Sequence, residues 1–534
     1  RSEIQSNPSG ERLFRPFLGA PTVDYARMNL LTMPHGPQSD GTFKAGSLEI
    51  LNAEADRIDL IESARPKSSF GDFEAEQVNE SEVIRFPLRG VDAVIMNAPF
   101  TDNMKRGRKF GPEAVKGMQR NEIDIRDRLE QTDSAAGGVI TTNSIRTFFS
   151  PLADQLLRTD QGVLAKVIPA TACIGASGVA ERRFLAERFH IERIVTTHDP
   201  KRINFSENTT IHECLLICRR WAESQRPPTE FVSLPRMPDS VDEAIKIADA
   251  ITSAAPEHWG SVRRWPANRV RAGDWTPVQW YDGELAEAAA ELESNPRLEP
   301  AGRRFEIGPA GQRIRETYGA CEEDASGCVR LFWSNSGELR RKMRGEPEDW
   351  RRPKSGRENL AQRYWQQRSH LLVAARCNVV SGRLTAIWSP IPAVGSAWTP
   401  VSVTDQKYAK GLAAWWNSTP ARLMLLNQRS KTLTYPSWSL AQLRQISIPK
   451  PDHFAWDALK DAFDEACETE LLPMGRAEEC PARRVVDEAA ALACGLDSDL
   501  LADWRRRLAA EPTITNRRAG EATVSAPCRR KAIK

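Results

Sequence analysis

A chain of 534 residues with 40% hydrophobic and 27% charged residues has the make-up of a globular protein of roughly three or four domains. Its 74 Lys and Arg nearly balance 71 Asp and Glu, so a net charge of +3 excludes a strongly polybasic chain and leaves any nucleic-acid surface to be sought in how charge is distributed. No run approaches the roughly 20 apolar residues of a membrane helix, and no secretory signal is read, so the expectation is a cytoplasmic protein with no membrane contact.

Residues 1–20 are polar and irregular, and Thr22 to Leu31 predicts a helix that stops before Pro34-His35-Gly36. The stretch from Val91 to Phe100 is apolar almost throughout, too short for a helix, and halted by Asn97 and Pro99. That pattern predicts a buried parallel strand whose carboxyl end carries a polar tetrapeptide, the end at which open α/β sheets do their ligand chemistry. A basic loop follows, Lys105-Arg106-Gly107-Arg108-Lys109-Phe110, which suits either a solvated surface or a contact with phosphates. A helical stretch through Phe148, Leu152 and Leu156 leads to a second strand, Gly162 to Pro169. Gly175-Ala176-Ser177-Gly178 lacks the spacing of a phosphate-binding fingerprint and reads as helix capping. Two more strands, Ile191 to Val195 and Ile211 to Cys218, flank Asn204-Phe205-Ser206-Glu207-Asn208-Thr209.

Residues 222–300 read as a Pro-containing linker and helical connector, with helices around Ile245 to Ile251 and Leu285 to Leu292. From 301 the chain turns to interleaved cations and aromatics: Phe332-Trp333, Arg340-Arg341-Lys342, Trp350-Arg351-Arg352 and Arg363-Tyr364-Trp365. Such a mixture suits a DNA-facing surface and equally a solvated face over buried tryptophans. Residues 453–534 read as amphipathic helices packed on that domain, with a basic tail at Arg529-Arg530-Lys531. The ten cysteines form no C-x-x-C pair and read as reduced, mostly buried thiols. His190, His198 and His212 have no metal-ligand spacing, and no Ser/His/Asp arrangement stands out.

Asn97-Ala98-Pro99-Phe100 resembles the Asn-Pro-Pro-Phe/Tyr signature of amino-group methyltransferases, the fourth motif of the adenine-N6 DNA methyltransferase family. The succession of elements over residues 22–221 is similar to the modification subunits of type I restriction systems and their single-chain relatives. An exocyclic adenine amine is a poor nucleophile because its lone pair is delocalised into the ring. The resemblance implies that Asn97 Oδ1 and the Ala98 carbonyl accept its two N–H groups, that Pro99 holds the turn, and that Phe100 stacks on an extruded base. Ala98 stands where the family has its first proline, which leaves the carbonyl in place but removes one backbone constraint. Phe205 matches the position of a second base-stacking aromatic, and it is equally well a core residue of its hairpin.

The same resemblance implies S-adenosyl-L-methionine as methyl donor, double-stranded DNA as partner, and a companion restriction or specificity subunit. The helix with Ala26-Arg27-Met28-Asn29-Leu30 fits, whereas the glycine-rich cofactor loop has no counterpart, Phe17-Leu18-Gly19-Ala20 lacks the ribose-binding acid, and Gly46 replaces an expected Asp before Ser47-Leu48. With Arg1 as first residue, the chain is expected to lack its N-terminal part. Trp415-Trp416-Asn417-Ser418-Thr419-Pro420 and Pro449-Lys450-Pro451 resemble the target-recognition region of single-chain methyltransferases, with Asn417 and Ser418 read as helix caps. The expected fold is therefore α/β: a Rossmann-like methyltransferase sheet, incomplete at the N-terminus, over residues 1–221, the connector over 222–300, an α+β target-recognition domain over 301–452 and a helical region over 453–534. Two other functions fit the same residues: a DNA-binding specificity component that no longer methylates, and a methyltransferase for RNA or a protein amide nitrogen.

Overall fold

The computed structural model describes residues 35–37, 43–45, 51, 57–61, 83–87, 90–98, 112–141, 144–205, 211–221, 225–253, 259–308, 311–429, 436–450 and 454–519. Two small antiparallel pairs come first, β1 (His35–Pro37) with β2 (Phe43–Ala45) and β3 (Arg57–Ile61) with β4 (Val83–Pro87). The helix expected at Thr22 to Leu31, the segment around Gly46, the basic loop at 105–110 and the tail at 529–531 lie outside the described residues.

The centre of the first half is a six-stranded mixed sheet in the order β10-β9-β7-β8-β6-β5. Its strands are β5 (Ala93–Asn97), β6 (Val163–Pro169), β7 (Phe189–Thr197), β8 (Glu213–Arg220), β9 (Thr229–Leu234) and β10 (Ser261–Trp265). β5 runs parallel to β6 and β7 parallel to β9, while β8 is inserted antiparallel between β6 and β7. The apolar runs produce this arrangement because alternate side chains face opposite sides of a strand. In β6, Leu164, Lys166 and Ile168 are buried on one face, whereas Val163, Ala165 and Val167 are only half covered on the other. The covered face meets α1 (Pro112–Thr132), α2 (Ser134–Val139), α3 (Phe149–Leu156), α4 (Ala170–Ile174) and α5 (Val179–Arg188), forming a core around Phe148, Leu152, Leu164, Phe184, Phe189 and Leu216.

Two expectations need correction. β5 is parallel, as its apolar run requires, but it is not buried on both faces: it is the last strand of this sheet among the described residues, with Val94 8% and Ile95 67% exposed. The stretch expected as a connector supplies β9 and β10 to the sheet, together with α6 (Val241–Ser253), whose Ile247 and Ile251 pack with Val195 and Val232 on the second face. The capping expected of Gly175 to Gly178 is present: Gly175 is the C-cap of α4, its N–H donating to the Thr171 carbonyl at 2.8 Å, and Gly178 is the N-cap of α5. A Cβ at Gly178 would lie 2.0 Å from the Ala172 carbonyl oxygen, so only glycine lets α4 and α5 approach this closely.

The second half packs a four-stranded antiparallel sheet, β12 (Glu306–Ile307), β18 (Trp398–Ser402), β16 (Ser369–Ala374) and β17 (Ala386–Ala393) in that spatial order, against helices. These helices include α7 (Gly283–Ser294), α8 (Gln406–Asn417), α9 (Thr419–Asn427), α10 (Ala455–Ala466), α11 (Pro481–Cys494) and α12 (Ser498–Ala510). Trp280, Trp398, Trp415, Trp416, Trp438 and Trp456 are buried in its core. A three-stranded sheet in the order β13 (Tyr318–Ala320), β15 (Asp349–Pro353), β14 (Val329–Leu331) stands beside it. β13 and β14 both run antiparallel to β15, and β13 ends and β14 begins opposite Arg351, so the chain between them crosses over the middle of that strand. That crossover brings Cys321 and Cys328 to a Cα separation of 6.5 Å, and they form a disulfide. The reduced state expected for all cysteines thus fails at this pair, while the seven other described cysteines are buried free thiols. Among the described residues no helix is long and apolar enough to cross a membrane.

Candidate functional site

Because β5, β6, β7 and β9 point the same way and β8 the opposite way, one edge of the sheet collects the carboxyl ends of four strands and the amino end of the fifth. Asn97 is the last residue of β5, opposite Val167 of β6, and is exposed. Ala98 follows it and is 2% exposed. Pro99 and Phe100 lie outside the described residues.

Phe205 reaches the same edge by a different route. After β7 the chain runs through His198 and Asp199, and Asp199 Oδ1 accepts a hydrogen bond from Lys201 N at 2.9 Å, turning the backbone. Glu213, the first residue of β8, is fully buried. Its Oε2 accepts from Phe205 N at 2.8 Å, and its own N–H donates to the Ile203 carbonyl at 3.1 Å. Phe205 is half-buried against Val195, Val232 and Leu234, so part of its ring is core, as its hairpin position allowed. His212 adds a further tie: its Nε2 lies 3.0 Å from Thr196 Oγ1 and 3.1 Å from the Thr197 carbonyl, and its own carbonyl accepts from Ala170 N at 2.8 Å. Counting two strand spacings across and two residues along, the backbones at Asn97 and Glu213 are roughly 12 Å apart.

Glu213 is a site residue that the sequence reading passed over. Its signal was a carboxylate inside the apolar run Ile211 to Cys218, since Glu is almost never fully buried without a partner. Lys166, opposite Met96 of β5, carried the same signal. It is fully buried, and its Nζ donates to Glu181 Oε1 and Ser150 Oγ, both at 2.8 Å, and to the Arg146 carbonyl at 3.2 Å. Arg146 pairs with the other oxygen of Glu181. Burial pushes the Glu181 carboxyl up, but the charges of Lys166 and Arg146 overrule it and hold it at about 2. This cluster forms the floor beneath the carboxyl ends of β5 and β6.

The cations and aromatics of the second half divide into two groups. Arg340 pairs with Glu348 and lies over Phe332, Arg341 is 3.3 Å from Glu470, and Lys342 is 3.2 Å from Glu468. Arg341 and Lys342 thus pair with carboxylates of a remote part of the chain while staying largely exposed. Arg351 stacks 3.8 Å from the Trp333 ring and bonds Asp349 at 2.9 Å. The other face of the three-stranded sheet is different. Arg330 stands opposite Trp350, its guanidinium 5.7 Å from that ring, and the exposed Arg352 follows on the same side opposite Gly319. Asn417 is the last residue of α8 and not the cap that was expected. Fully buried, it accepts from Thr385 N at 2.8 Å and donates to the Ala386 and Ala413 carbonyls, each at 2.8 Å, while Ser418 caps α9.

No family model matches this chain, and no curated protein matches it. Among solved structures it is similar to the type IIG restriction endonuclease BpuSI, at 12% identity over 79% of this chain and 54% of that one, with a TM-score of 0.33. It is also similar to the type IIL restriction-modification enzyme MmeI in complex with DNA, at 12% identity over 78% of this chain and 57% of that one, TM-score 0.40. A third is the methyltransferase subunit of a type I restriction-modification system from Streptococcus thermophilus, at 16% identity over 35% of this chain and 36% of that one, TM-score 0.24. These similar structures are restriction-modification enzymes, and the chain spans between 36% and 57% of their lengths.

Proposed function

We propose that this chain belongs to a restriction-modification methyltransferase that transfers a methyl group from S-adenosyl-L-methionine to the N6 amine of an adenine extruded from duplex DNA. The observation that carries this reading is the placement of Asn97-Ala98 at the carboxyl end of β5, with the Phe205 loop brought to the same edge by the reversed strand β8. S-adenosyl-L-methionine, when bound, supplies an electrophilic methyl group. The stretches from which the resemblance draws cofactor contacts, around residues 17–31 and 46, lie outside the described residues, so no cofactor contact is assigned.

The chain's own residues have separate tasks. Asn97 Oδ1 and the Ala98 carbonyl accept the two N–H groups of the amine, which orients its lone pair away from the strand end and favours a more pyramidal nitrogen. The exposed part of Phe205 is the second aromatic surface on which the extruded base would stack. Glu213 fixes the backbone from which Phe205 projects. The Lys166, Glu181 and Arg146 cluster keeps the sheet edge from shifting beneath the acceptors.

DNA binding falls to the open face of the three-stranded sheet, where Arg330, Trp350 and Arg352 stand in a row. Replacing both Arg330 and Arg352 by Ala is expected to weaken binding of mixed-sequence duplex about tenfold and to flatten its salt dependence by roughly one power of salt concentration for each phosphate left without its arginine. Fluorescence anisotropy over a salt series checks this, and an unchanged slope removes these residues from the interface. One alternative has a specific observation behind it: Ala98 and Gly46 depart from the family pattern at both the amine site and the cofactor site, which suits a specificity component that binds DNA without methylating it.

The deciding experiment uses tritiated S-adenosyl-L-methionine with unmodified duplex DNA, followed by digestion to nucleosides. Label in N6-methyl-2′-deoxyadenosine supports the proposal. Duplex binding without any transfer supports the specificity component, and label in RNA or protein moves the chemistry to another amine.

A further inference from the structure

The sequence predicts a C-terminal segment packed on the recognition half, yet its last described turn crosses to the catalytic sheet. Glu511 precedes α13 (Pro512–Thr515) and is 1% exposed. Its Oε1 accepts from Tyr281 N at 3.0 Å and its Oε2 from Asp282 N at 3.3 Å. The same carboxylate lies 3.7 Å from Nδ1 of His198, which is fully buried and is the first residue after β7. Seven residues on, Arg518 donates to Asp199 Oδ2 at 2.9 Å, a carboxylate 1% exposed. Arg429 ties the segment to the second half, donating to Thr513 Oγ1 at 2.8 Å and to the Gln279 carbonyl at 2.9 Å.

We infer that residues 511–518 form a clasp that sets the position of the 198–205 loop, making the C-terminal segment a positioning part of the sheet-edge site. Asp199 is the centre of the clasp. One of its oxygens turns the backbone at Lys201 and the other receives Arg518, so the guanidinium fixes the orientation of the carboxylate that shapes the loop. Burial makes this demanding, because a nearly inaccessible carboxylate that loses its cation must regain solvent by moving. Six residues after Asp199 the same loop presents Phe205, anchored at its far end by Glu213. The loop is thus pinned at both ends, from β8 by a neighbour in sequence and from the C-terminal segment by a residue 319 positions away from Asp199. Arg518 is a positioning residue that acts through Asp199. The functional side of the clasp rests on the methyltransferase reading above, whereas its mechanical side does not.

Hydrogen exchange on the full chain separates the two. Arg518→Ala and Glu511→Gln are each expected to speed exchange in peptides covering residues 198–205 about tenfold, with peptides covering 163–169 unchanged, and Arg518→Lys is expected to restore protection. In the tritium assay, with rates expressed per folded molecule counted from a thermal melt of the same sample, Arg518→Ala should lower kcat for transfer to duplex DNA and leave KM for S-adenosyl-L-methionine unaltered, and Arg518→Lys should restore kcat. Unmoved exchange at 198–205, or equal acceleration across the whole sheet, would overturn the clasp. Should the unmodified chain transfer no methyl group to DNA, the proposed function fails and the exchange pattern alone decides the inference.

Discussion

Asn97→Ala is expected to lower single-turnover methyl transfer to duplex DNA by a factor of about a hundred or more, the usual cost of removing one preorganised polar group that acts on the reacting atom. The amine of adenine needs two acceptors at once. The Ala98 carbonyl survives the substitution because it belongs to the backbone, so the variant retains one acceptor and a residual rate. Duplex affinity should stay within about twofold, since phosphate and groove contacts dominate it. Stability should change by no more than about 0.5 kcal/mol, because Asn97 is exposed at a strand end. Rapid-quench single-turnover kinetics together with a thermal melt check all three quantities. A variant that transfers at the original rate would remove Asn97 from the chemistry and leave the tetrapeptide as an ordinary strand-ending turn.

The order of strands was legible because each is a short apolar run stopped by polar or prolyl residues, from Val91 to Asn97, Val163 to Pro169, Phe189 to Thr197 and Glu213 to Arg220. What stayed hidden depends on partners remote in sequence. Ile95 is as apolar as Val94, and nothing local shows that one faces solvent at the edge of a sheet while the other is covered. The pairing of Arg341 with Glu470 and of Lys342 with Glu468 joins residues well over a hundred positions apart, which no local pattern announces. The Arg518 to Asp199 pair is one choice among very many charges, and no periodicity singles it out. Cys321 and Cys328 needed a crossover geometry that their spacing alone does not announce. Charged residues inside apolar strands were a usable signal, because Lys166 and Glu213 both proved to be fully buried with specific partners.

Glu181→Gln should be the most destabilising change near the site, at about 3 to 5 kcal/mol, because it leaves Lys166 and Arg146 in the interior facing a neutral amide. The pair is not a pure gain to begin with: burial pushes the Lys166 ammonium below its ordinary range, and the attraction of Glu181 recovers only part of that cost. Adding Lys166→Met to Glu181→Gln is therefore expected to restore a large fraction of the loss, and a double-mutant cycle in urea measures the coupling. The pH dependence follows from the carboxyl. Its folded value of about 2 lies below the ordinary 4.5, so the stabilisation is complete above about pH 4.5 and is lost as pH falls from there toward 2. The shift corresponds to about 3 kcal/mol, which should appear as a fall in the urea midpoint over that window and be absent from the double variant. Because Lys166 stands opposite Met96, one residue before Asn97, Glu181→Gln should also slow methyl transfer at temperatures where the protein remains folded. A stable Glu181→Gln protein with full activity would mean that the cluster supports neither the fold nor the edge that carries the two acceptors.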